Sequence, residues 1–143
     1  MKYDKKDSFE IRKIIIDTLV EIRKKSSLNF DININTEGRY GESIILSLPP
    51  EETKIKNLEG EKGENFTKVG ARIVFHQIYS NGSEVSYQMS HIPGLSDEPR
   101  TELKDLAPRE KVNREYIMAK VLAFLEEVVA TEKKQNPGLS YKQ

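Results

Sequence analysis

The side chains best suited to chemistry lie between Arg72 and His91. Phe75 and Tyr79 offer ring faces, Gln77 and Gln88 offer amides, Arg72 offers a guanidinium, and His76 and His91 are the two histidines of the chain. Such a set suits binding better than bond making. Rings stack on bases or on a partner's rings, amides fix orientation, and an arginine at Arg72 or Arg39 meets phosphate or carboxylate with a planar fork. The histidines lack the third and fourth ligands, at short spacing, that a zinc-type site requires. With no Cys in the chain, disulfides, thiolate ligands and a cysteine nucleophile are excluded. No catalytic residue, metal ligand or cofactor is expected.

How these residues are presented depends on one turn. Asn81-Gly82 favours a two-residue hairpin turn, because both central positions need positive φ. That turn predicts Ile78 opposite Val85, His76 opposite Tyr87, Val74 opposite Met89 and Arg72 opposite His91. Val74, Ile78, Val85 and Met89 then form the core face, with both histidines on it. Ile73, Phe75, Gln77 and Tyr79 face outward against Ser90, Gln88, Ser86 and Glu84. Large rings among short polar groups suit a surface that something else covers: a partner, a ligand, or the long connection further along the chain.

The elements carrying the hairpin read as an α+β domain: an N-terminal helix, an antiparallel meander of about four strands, and a long C-terminal helix. Asp7 is placed to cap the first helix, with Glu10 three residues on, and Ile11, Ile15, Thr18, Leu19 and Ile22 recur at helical spacing. In "NFDININ", Phe30, Ile32 and Ile34 alternate with Asn and Asp, as in a half-buried strand, and "SIILSL" follows with Ile44, Leu46 and Leu48. Residues 49–65 turn to Glu, Lys and Gly and read as a mobile surface loop or a ragged strand. "HIPGLSDEPRTELKDLAP", with three prolines, reads as an irregular connection. The last helix is expected from Pro108, with Ile117, Val121, Phe124, Leu125 and Val128 as its stripe, and 133–143 as a polar tail. Residues 1–143 are expected to make a single domain.

Asp31 on one strand, followed by Glu52-Thr53-Lys54, resembles the metal-dependent nuclease fold of restriction enzymes. That resemblance implies carboxylates holding Mg²⁺ and a lysine positioning the attacking water. The departure is Pro49-Pro50, which ends the strand just before the Glu-x-Lys. The order helix, strands, helix also resembles that of double-stranded RNA-binding domains. Here, however, Arg109, Lys111 and Arg114 alternate with Glu110 and Glu115 in place of a lysine cluster.

Composition narrows the function further. Lys plus Arg and Asp plus Glu number 23 each, so no net field draws the chain to a phosphate backbone or an anionic membrane. No apolar run approaches the ~20 residues of a membrane span, and the charged N-terminus is unlike a secretory leader. A cytoplasmic location is expected, or a virion if the chain is phage-derived. The function expected is a non-enzymatic interaction or assembly protein. It would self-associate, or meet a protein partner, through the outer sheet face and arms, as phage and mobile-element accessories do, among them virion ring components and inhibitors of host defence. The alternative is a nucleotide or single-stranded nucleic-acid binder using Phe75, Tyr79, Gln88 and Arg72. A metal-dependent nuclease is the third reading.

Overall fold

The computed structural model describes residues 5–36, 41–58, 63–78 and 82–135, with side chains described from Glu10 to Glu132 within those ranges. Helix α1 (Lys5–Ser26) is followed by β1 (Asp31–Asn35) and β2 (Gly41–Ser47). Next come β3 (Glu51–Lys56), β4 (Asn65–Lys68), β5 (Arg72–Ile78), β6 (Ser83–Gln88), β7 (Glu102–Ala107) and helix α2 (Arg114–Gln135). Five strands form an antiparallel meander in the order β1-β2-β5-β6-β7, and β3-β4 is a separate two-stranded ribbon inserted between β2 and β5. The fold is α+β, with a helix at each end of the strand series.

Both helices lie on one face of the five-stranded sheet, because their apolar stripes need the same cover. Ile11, Ile15 and Leu19 of α1 and Ile117, Val121 and Phe124 of α2 are buried with Ile44, Leu46, Ile73, Phe75, Val85 and Tyr87 of the sheet. Tyr87 meets Phe124 edge to face at 5.2 Å between ring centroids, the arrangement that the ring quadrupoles favour. α1 begins before Asp7, so that residue lies within the helix and not at its cap. The helix closes on a left-handed Ser27 (φ 59°), and Arg23, Lys24 and Lys25 fill its last turn, where positive charge suits the carbonyl end. α2 begins later than Pro108. After a 3₁₀ turn at Arg109–Lys111, the Oδ1 of Asn113 accepts from the amide of Tyr116 at 2.9 Å and caps the helix.

The hairpin register departs from the one that Asn-Gly suggests. β5 and β6 pair Arg72 with Gln88, Ile73 with Tyr87, Phe75 with Val85, His76 with Glu84 and Gln77 with Ser83. Every partner is displaced by three residues, an odd number, so β5 exchanges its faces while Val85 of β6 keeps the core face expected of it. Phe75, Ile73, Val85 and Tyr87 point to the core, while Val74, His76 and Ile78 point away. Burial decides the matter: sealing an Ile or a Phe side chain stabilises by about 1.5–3 kcal/mol, more than a turn preference contributes. Gly82, at φ +85°, sits where β6 passes β7. A Cβ there would lie 2.4 Å from the carbonyl oxygen of Ala107, so close strand approach demands the glycine.

Of two further segments, one settles between two expected readings and one differs from expectation. Within 49–65, Glu51–Lys56 pairs with β4 across a register shift, the ragged strand of the two expected readings. The proline-rich connection contains β7, which pairs with β6 across a bulge. The expected tail beyond Gln135, Tyr79 and Arg39 lie outside the described residues.

Candidate functional site

The structure divides the expected binding platform between two faces. Phe75 is fully buried among the helices, and Gln77, also buried, donates through Nε2 to Ser83 Oγ at 2.8 Å. Ile73 shares that inward face. Arg72 and Gln88 are cross-strand partners on the opposite face. There Gln88 Nε2 donates to Glu98 Oε1 at 3.1 Å and to the carbonyl oxygen of Pro99 at 3.0 Å, so part of the long connection covers that corner of the sheet. The stacking surface of the nucleotide-binding alternative therefore loses the Phe75 ring.

On the inward face, Glu42, Gln77 and Ser83 form a row across β2, β5 and β6. Arg12 of α1 meets Glu42 at 3.1 Å. This polar row is internally satisfied, and it pins α1 to one end of the sheet. A buried group that already has its partner is not available to a ligand.

Neither histidine is where the predicted register puts it. His76 lies on the outward face, its Nδ1 2.8 Å from Ser43 Oγ on β2, and does not face Tyr87. The Tyr87 hydroxyl instead donates to the carbonyl oxygen of Lys120 at 3.3 Å. Glu84 is the neighbour of His76 on β6, so a hydroxyl, an imidazole and a carboxylate lie in line on three strands. Among the described residues, however, no ion pair joins Glu84 to His76. Nucleophilic catalysis needs a base that a third group orients, and here that orientation is missing. His91 pairs through its backbone with Val69, bracing the ribbon against the end of β6.

Asp31 lies on the edge strand of the main sheet, whereas Glu52 and Lys54 lie on the ribbon, where Glu52 accepts from Asn65 Nδ2 at 3.1 Å. Among the described residues no group of three or more His, Asp or Glu is arranged to hold a metal ion. Arg114, one of the basic residues at the start of the last helix, is engaged by Glu21.

What remains open is the sheet face opposite the helices. Ile45, Val74 and Ile78 are half-buried there, and Leu103 and Leu106 of β7 are 60% and 56% exposed. Ser43, His76 and Glu84 cross the middle, with Arg72 and Asp31 in the outermost row. The face is thus mixed: its apolar side chains on β2, β5 and β7 are separated by polar ones such as Ser43, Ser86 and Glu84, and it carries both signs of charge. Sequence reasoning missed Leu103 and Leu106 because the bulge separates two residues of one face by three positions, a helical spacing. The one signal available was the short apolar repeat in "ELKDLAP".

Compared with protein families, curated proteins and solved structures, the chain matches none. Among the described residues no helix is long and apolar enough to cross a membrane.

Proposed function

We propose that the protein is a non-enzymatic assembly protein that self-associates through the outward face of its five-stranded sheet. One observation carries the reading: both helices lie on the same side, leaving Leu103 and Leu106 exposed on the other, across Ser86 and Glu84 of β6 from the half-buried Val74, Ile45 and Ile78. Large apolar side chains left in water on an uncovered sheet face are costly, and clusters of them mark docking sites. A second copy suits it because Arg72 and Glu84 give the face both signs, so a two-fold contact can set unlike charges together. A phosphate backbone would meet no excess of positive charge.

Size sets the expected strength. Strands about 4.8 Å apart and ~17 Å long make a face of roughly 400 Å². A standard interface takes about 800 Å² from each partner, so this face alone supports a weak, concentration-dependent association.

The test is sedimentation velocity over a concentration series for the wild type and for a Leu103→Lys, Leu106→Lys variant. Both positions are exposed, so circular dichroism should be unchanged. The average mass of the wild type should rise with concentration, and that of the variant should rise less steeply. A variant that associates like the wild type would overturn the reading.

A further inference from the structure

We propose that β1 is a pairing edge. Two copies of the chain join β1 to β1, antiparallel, about a two-fold axis at Asn33, and so make one continuous sheet with all the helices on the same side. This names a second contact for the self-association proposed above and rests on that reading, but not on the outward face itself.

The two edges of the sheet are built differently. An edge strand presents unpaired backbone N–H and C=O groups, and chains that remain monomeric blunt such edges with bulges, lysines and prolines. β7 carries these devices: its pairing with β6 is interrupted by a bulge, Lys104 lies within the strand, and Pro108 follows it. β1 carries none. Its sequence, DININ, has no Lys, Arg or Pro, and all five of its residues pair with β2 in one unbroken register, from Asp31 with Ser47 to Asn35 with Ser43. Asn33 and Asn35 are exposed, and Ile34, on the same side of the sheet as the buried Ile44 opposite it, is 47% exposed. The core is thus left open along this flank.

Rotation about Asn33 closes it. Ile32 of one copy then lies opposite Ile34 of the other, and both pairs extend the apolar layer beneath the helices. Asp31 lies opposite Asn35 of the second copy, and Asn33 lies opposite itself. No like charges oppose one another, which directly facing strand positions require. A shift of one residue would set the helices on opposite sides and separate the isoleucines, and a shift of two would leave part of the strand unpaired. The occupant that fits is therefore this same strand, reversed.

The absence of Cys makes the register directly testable. Facing positions on paired strands hold their Cβ atoms about 4.5–5.5 Å apart, within small adjustment of a disulfide. Asn33→Cys should cross-link to a covalent dimer under mild oxidation, at least tenfold faster than Asn35→Cys in a parallel reaction. A second experiment uses charge. Asn33→Lys and Asn33→Glu should each weaken association at least tenfold, and an equal mixture should restore it. Equal cross-linking at 33 and 35, or a mixture no better than either variant alone, would overturn the proposal.

Leu106→Cys, cross-linked in the same way, separates the two surfaces. Cross-linking at 106 without 33 removes the edge and leaves the face, and cross-linking at 33 without 106 does the reverse. If neither position cross-links, both fail.

Discussion

Arg114, the first residue of α2, grips Glu21 of α1 with two donors. Its Nε lies 2.9 Å from Oε1, and its Nη2 engages Oε2. Lys25, one turn further along α1, donates to the same carboxylate at 2.9 Å. The Arg114 hydrogen bonds, with that of Lys25, hold the Glu21 carboxyl at about 2, well below its ordinary 4.5. The pair ties the start of α2 to α1 at the open surface.

Because the folded-state value is depressed, the stabilisation is present above pH 4.5 and is lost as the pH falls toward about 2. Arg114→Ala should therefore melt below the wild type at neutral pH, and the gap should close in acid. Carboxyl titration by NMR should show Glu21 rising toward its ordinary value in the variant. A gap that persists at pH 2 would mean that Arg114 acts by packing.

Lys68 of β4 joins the ribbon to α2, with Glu132 at 3.2 Å and Glu51 at 3.5 Å. Burial disfavours its charge, but the hydrogen bond and attraction of Glu132, with those of Glu51, outweigh burial and leave the ammonium above its usual 10.5. A raised value means that the contribution is full below pH 10.5 and is lost as pH rises through the folded-state value. Lys68→Met should speed amide hydrogen exchange in β3 and β4 at pH 7 while leaving β2, β5 and β6 protected. Uniform loss of protection would show that the ribbon does not open separately.

The Tyr116 hydroxyl donates to Asp105 Oδ2 at 2.6 Å, and Lys120 Nζ lies 3.1 Å from the same oxygen. The Tyr116 bond, then that of Lys120, lowers the Asp105 carboxyl, while burial and that carboxylate push the phenol up. Tyr116→Phe should cost about 1 kcal/mol at neutral pH, below the ~1.5–3 kcal/mol typical of a bond to a charged group because Asp105 is partly solvated. The cost should shrink below the ordinary Asp range, as the carboxylate takes up its proton. Urea titrations at pH 7 and pH 3 would check both statements.

Phe75 and His76 are adjacent, and they report which way the hairpin faces. Phe75→Ala should cost about 3–5 kcal/mol by opening a cavity beneath the helices. His76→Ala, which removes only a partly solvated bond to Ser43, should cost about 1 kcal/mol or less. Urea midpoints at constant slope would measure both. A reversed order would restore the register that Asn81-Gly82 suggests.

Local sequence determined the elements whose burial follows one period. Ile11, Ile15 and Leu19 mark the inner stripe of α1, and Ile117, Val121 and Phe124 that of α2. Phe30, Ile32 and Ile34, then Ile44 and Leu46, give the inner faces of β1 and β2, because each residue's side follows from its own place in the repeat. β3 carries no such mark: in EETKIK both faces meet solvent, so nothing alternates. Tertiary structure alone decided the rest. The β5-β6 register places Phe75 beneath the helices because several apolar side chains gain burial together there, and a dipeptide at the turn carries no information about that sum. For the same reason the open face of Val74, Leu103 and Leu106 emerges only when β7 joins the sheet and both helices settle on its other side.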